Sequence, residues 1–172
     1  RWGRETCLVS GSGTHFEYGT HQQTLSIKAA WGGGERYFLR EREVTVDDDH
    51  WLVLNEGRAY GSRVQAQRPV TSLSIFFRPG LAGEVAAQRR RSLHGALDTP
   101  DTTAAALEFS EHLRPHDAAV SRRLRAMHSE ALAGERSEPW LEQPALLLLD
   151  ELLTASATER PAVHGKTQAA QR

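Results

Sequence analysis

Along the first 77 residues the apolar side chains mostly recur at every second position, the repeat of a strand whose successive side chains point to opposite faces. Leu25, Ile27, Ala29 and Trp31 share one face, while Ser26, Lys28 and Ala30 share the other. Gly32-Gly33-Gly34 then supplies a turn, and Tyr37 to Arg40 resumes the strand pattern, so the pair reads as a hairpin. Val44 and Val46 mark a further short strand. Asp47-Asp48-Asp49 is a polar turn, Trp51 to Asn55 is a strand ended by Glu56-Gly57 before Tyr60, and Thr71 to Phe77 is the last clear one. In that last strand Leu73, Ile75 and Phe77 oppose Ser72 and Ser74. Closely spaced short strands predict an antiparallel sandwich or barrel.

After Arg78-Pro79-Gly80 the apolar spacing changes to three and four, the helical repeat. It predicts a helix from Leu81 to about His94, a short one from Ala104 to Leu113 stopped by Pro115, and a longer one from a cap at Asp117 to Ala133, ended by Gly134. In this third helix Val120, Leu124, Met127 and Leu132 fall roughly on one face. A last helix runs from Trp140 to about Ala155, with Pro144 in or near its first turn. Its leucines 146 to 149 point almost all round the axis, more than one buried stripe requires. A second copy of the chain, meeting it by a two-fold contact, is the economical cover for the extra face.

Composition narrows the function classes. Of 172 residues 21 are Lys or Arg and 22 are Asp or Glu, so the basic excess of a nucleic-acid binder is missing. Cys7 is the single cysteine, which excludes an intramolecular disulfide and fits a cytoplasmic setting. The apolar run Ala145 to Leu149 is far shorter than the roughly 20 residues of a membrane helix. The opening at Arg1 and the polar stretch ending at Arg172 read as those of an excised fragment.

The run from Val44 through Leu52-Val53-Leu54-Asn55-Glu56-Gly57 to Tyr60, followed by Ser72 to Gly80, resembles the cupin-like sensor domain of AraC-type transcription regulators. Phe109 to Asp117 and Leu141 to Leu153 are similar to the helical segment after that barrel, and Arg160 to Val163 to the linker before the helix-turn-helix pair. The resemblance implies an α+β chain, with a cupin-like antiparallel β-barrel (a double-stranded β-helix) ahead of a helical segment. Its expected parts are an N-terminal arm at 1–22, a barrel at 23–80, a dimerising helical segment at 81–156 and a linker at 157–172 toward an absent DNA-binding domain. The function implied is effector sensing and homodimerisation, with DNA reached only through that absent domain.

Candidate chemistry is sparse. A metal-using cupin needs a His-x-His pair, a nearby Glu and a later His; no histidine lies between Gly34 and Glu41, and Tyr60 stands at the late position, so neither metal nor cofactor is expected. His112 and His116 have helical metal-pair spacing, but Pro115 interrupts it, and they read as solvated loop residues. Gly165-Lys166-Thr167 lacks the first glycine of a phosphate loop, and Gly11-Ser12-Gly13 lacks the pattern of a nucleophile elbow. The arginines at 89–91 and at 122, 123 and 125 read as solvated helix faces.

The expected ligand residues are Trp31, Tyr37, Trp51 and Tyr60, with His15 in an arm closing over the barrel mouth as arms do in the resembling family. For Trp31 the alternation favours core filling at least as much. Expected dimer residues are Leu124, Leu141, Leu146, Leu149 and Leu153. The chain thus reads as non-catalytic. Two alternatives stand beside this: a metal-free cupin enzyme such as a sugar isomerase, for which His50 is the strand-edge candidate, and an interaction module without a ligand.

Overall fold

The computed structural model describes residues 5–94, 107–116, 119–134 and 140–159. Its strands are β1 (Cys7–Gln22), β2 (Ser26–Trp31), β3 (Glu35–Leu39), β4 (Arg42–Val46), β5 (His50–Leu54), β6 (Ala59–Phe76) and β7 (Leu113–Pro115). Its helices are α1 (Leu81–His94), α2 (Ala119–Ala133) and α3 (Glu142–Glu159). The strands join in one antiparallel sheet in the order β4-β3-β6-β2-β5-β7, and β1 pairs the remaining edge of β6.

The length of β6 closes this sheet on itself. Its first part, 60–63, pairs β3, and its last part, 71–76, pairs β2. Strand β1 follows along the opposite edge, with register shifts between Gly13 and His15 and between Tyr18 and His21. Pro69, which cannot donate to a ladder, lies in the stretch between Gln65 and Val70 that falls outside the paired register. The bend there turns one half of the sheet over the other, giving a nearly closed, cupin-like barrel. Gly61 fits the crossing, because a Cβ at this position would stand 2.9 Å from the Tyr18 carbonyl oxygen.

Both faces of the central strands are buried, and by different partners. Inward, Ala30, Tyr37, Val46, Leu52, Leu54, Tyr60, Val64 and Val70 fill one end of the barrel. Outward, Ile27, Ala29, Trp51, Val53, Leu73, Ile75 and Phe77 meet Leu81 of α1, Val120, Leu124 and Met127 of α2, and Ala145, Leu148, Leu149 and Leu152 of α3. Ion pairs fix the helices to one another: Arg89 of α1 donates to the Asp150 carboxylate at 2.8 Å, and Arg123 of α2 to Glu151 at 2.7 Å. These arginines are tied within the chain. No helix among the described residues is long and apolar enough to cross a membrane.

Several expectations change. Residues 7–22, expected as a free arm, are a strand. β2 and β3 do not form a hairpin, because β6 lies between them; Gly32 and Gly33, with φ of 79° and 149°, instead carry the chain across from one half of the sheet to the other. Of the predicted helix at Ala104 to Leu113, the described part 107–112 is irregular and leads into β7. Its backbone is claimed elsewhere: the Asn55 side chain donates to the Phe109 carbonyl and accepts from its N–H, at 2.8 and 2.9 Å, and Asn55 N donates to Glu111 at 2.8 Å. α3 continues to Glu159, into the span expected as linker. Asp117 and residues 160–172 lie outside the described residues, whereas α2 ends at Gly134 with φ of 78°, as its glycine predicts.

Candidate functional site

A cavity of about 670 Å³ opens in the barrel. Its polar wall comes from alternate positions of three strands: Lys28 of β2, Glu35 and Tyr37 of β3, and Tyr60, Ser62, Ser72 and Ser74 of β6. β1 supplies Val9, Phe16, Tyr18 and His21, and Phe76 adds a further ring. The small Ser26 and Ala30 flank Lys28 on the inward face of β2, and Ser72 and Ser74 alternate on β6. Short side chains at these positions leave the space that larger ones would fill.

The floor holds two buried charges. Lys28 and Glu35 are 1% and 2% exposed. Lys28 Nζ donates to Ser74 Oγ at 3.2 Å and lies 3.9 Å from the Phe76 ring centre and 4.9 Å from that of Tyr60. Glu35 accepts from the hydroxyls of Ser72 and Tyr37. Burial pulls the Lys28 ammonium down to about 7, a shift opposed by the charges of Glu35 and Cys7. Burial, more than Glu35 beside them, pushes the Tyr37 and Tyr60 phenols well above their ordinary value, so both hydroxyls are neutral near neutral pH.

Of the residues expected to hold a ligand, Tyr37 and Tyr60 line this cavity. Three do not. His15 is exposed beside the register shift in β1, its Nδ1 3.2 Å from Thr14 Oγ1, while its neighbour Phe16 faces the cavity. Trp51 points to the opposite face of β5, buried under the helices with its Nε1 donating to the Pro115 carbonyl at 3.1 Å. Trp31 packs against that same outer core and lies beside His116, His128 and Arg125. Lys28, Glu35 and the serines, none of them aromatic, line the cavity beside the two tyrosines. Their signal was present: a charge among small residues on a strand whose other face is apolar.

His50 is paired with Asp47 at 3.2 Å and is not among the lining residues of the cavity. His116, read as a solvated loop residue, is half-buried and bonded to Ser121 Oγ at 3.0 Å. No group of three or more His, Cys, Asp or Glu side chains that could hold a metal ion occurs among the described residues.

The tilted ring contact of Trp31 with His128, with ring centres 5.2 Å apart, joins β2 to α2. Burial depresses both His128 and His116, the latter also by the charge of Arg125. A depressed imidazole stays neutral in the fold while the unfolded chain protonates, so stability is lost as pH falls from about 6.5 toward the lower folded values. The melting temperature of His128→Gln is expected to drop less between pH 7 and pH 5 than that of the wild type; equal drops would assign the acid sensitivity elsewhere.

The expected dimer residues divide in the same way. Leu124 and Leu149 have no exposed surface, being packed under the sheet, so they are not offered to a second copy. Leu141 and Leu153 are partly buried against that core, whereas Leu146 and its neighbour Leu147 are each 42% exposed.

No family model matches this sequence, and no curated protein matches it either. Solved structures do. ToxT K231A from Vibrio cholerae superposes with a TM-score of 0.56 at 7% identity, over 92% of this chain and 58% of that one. ToxT from Vibrio cholerae bound to (E)-4-(8-methylnaphthalen-1-yl)but-3-enoic acid gives 0.53 at 8% identity, over 90% and 57%. The AraC-like transcriptional activator CuxR gives 0.55 at 12% identity, over 95% and 56%. The chain thus spans a little over half the length of these proteins, and it shares with that part of them the fold of a barrel followed by helices.

Proposed function

We propose that this chain is the effector-sensing and dimerising part of an AraC-type transcription regulator, acting in the cytoplasm. The observation that carries the reading is the barrel cavity, whose volume lies within the roughly 300 to 1,000 Å³ of small-molecule sites and whose floor bears convergent polar groups. The shared fold with CuxR supports it, as does the capture of a small organic molecule by ToxT, a protein of similar fold. An effector that binds one arrangement of two copies better than another would shift how attached DNA-binding domains are placed. No residue need do chemistry in this role.

In this reading the second copy meets the exposed side of α3 at Leu146 and Leu147. Sedimentation over a concentration series is expected to show a dimer that becomes a folded monomer in the double variant Leu146→Glu/Leu147→Glu. A folded wild-type monomer at every concentration would remove the dimer and leave an isolated binding module.

A further inference from the structure

Lys28 has an unusual position for an ammonium group. It sits in mid-strand with its side chain enclosed, and none of the ion pairs within 4.0 Å among the described residues includes it. One of its three N–H groups is directed to Ser74, and two aromatic faces lie against it. The other buried charge is already answered, since Ser72 and Tyr37 both donate to Glu35. The floor of the cavity therefore has donor capacity left over. Val9, Phe16, Tyr18 and Phe76 supply apolar lining to the same cavity.

We propose that the cavity takes a small organic anion, a carboxylate with an apolar body, whose charged end is received by Lys28 Nζ. This rests on the sensing reading and names the class of effector. A carboxylate returns to the enclosed ammonium the counter-charge it lost with water; a neutral end leaves that loss uncompensated, and an amine adds repulsion. The aromatic and aliphatic walls supply the burial energy and limit the length of the body.

Binding is coupled to protons. In the empty domain at pH 8 most Lys28 side chains are neutral, because the group titrates near 7, and an arriving carboxylate draws a proton onto it. The titratable groups facing it are Cys7 and His21 of β1, Glu35 and Tyr37 of β3, and Tyr60 of β6. Affinity is then expected to fall by about tenfold per pH unit above neutrality.

The test is calorimetric titration of the full chain with a panel of aryl and alkyl monocarboxylates, each beside the primary amide and the amine of the same skeleton. Expected are acids that bind at least about tenfold tighter than their amides, loss of that preference in Lys28→Gln, and uptake of close to one proton at pH 8 in buffers of different ionisation heat. Amides or amines that bind as well as the acids, or no proton uptake, would overturn the anion while leaving the sensing site in place. A panel in which no member binds, with Ser74→Phe in the cavity leaving all heats unchanged, would overturn the sensing reading and the anion with it. Since Lys28→Gln removes a buried charge, it is expected to stay folded, which its melting curve checks.

Discussion

Leu149→Glu is expected to unfold the chain, whereas Leu146→Glu, three residues earlier on the same helix, leaves its stability within about 0.5 kcal/mol. Leu149 has no exposed surface and lies with Ala145, Leu148 and Leu152 on the face of α3 that packs on the sheet. A carboxylate there has no partner in a wholly apolar cluster and must either be protonated or open the interface. Either route costs several kcal/mol on top of the roughly 2 to 5 kcal/mol lost with a buried leucine. That sum is comparable to the whole stability of a domain, about 5 to 15 kcal/mol. Circular dichroism melting separates the two variants directly. A Leu149→Glu chain that melts like the wild type would mean that α3 does not sit on the sheet through this face.

The same helix shows where pattern reading stops. Its run of four leucines announces a surplus of apolar surface, and the surplus is real: positions 148 and 149 are enclosed and 146 and 147 are half-open. Which members of the run face inward depends on the axial rotation of α3, set by the shape of the sheet and by Arg89 and Arg123 bonding to Asp150 and Glu151. Those contacts span 61 and 28 residues, and no local repeat encodes them.

In the strands, period-two alternation correctly separates Ser26, Lys28 and Ala30 from Leu25, Ile27 and Ala29. It cannot say that the polar set faces a cavity, because a two-layer sheet would place the same set in water. The deciding feature is β6, whose continuation through Arg68 and Pro69 runs against the rule that proline ends a strand. Once β6 bends, its serines and the lysine of β2 converge, and the apolar faces of both strands turn to the helices. The three-residue β7 is likewise silent locally: Leu113-Arg114-Pro115 becomes a strand only because β5 offers a free edge and Asn55 captures the segment before it. Tyr37 and Tyr60 were legible as aromatics on strands. His15, Trp31 and Trp51 look the same in sequence, and the faces on which they lie put them elsewhere.

Lys28→Met is expected to stabilise the chain at pH 7, by roughly 2 to 4 kcal/mol, or about 5 to 15 °C in melting temperature for a domain of this size. The folded ammonium titrates near 7 and the unfolded one near 10.5. Between those values the unfolded chain binds more protons, so the stability of the wild type rises as pH increases from 7 toward 10.5; below 7 both states are protonated and the full cost of enclosing the charge is carried. Methionine has nearly the length of lysine and no charge, so it removes that cost and loses one hydrogen bond, to Ser74, worth about 1 kcal/mol. Subtracting the melting curves of Lys28→Met from those of the wild type across pH 7 to 10 should therefore give a gap that closes with rising pH. A gap of constant size would mean that Lys28 titrates alike in the folded and the unfolded chain, with water reaching it freely. A destabilised variant would mean that the ammonium is held by more than Ser74 and two rings. Retention of this lysine against its cost to the fold follows if the group serves a bound molecule, since a site that pays in stability is the usual mark of a function that needs the strained group.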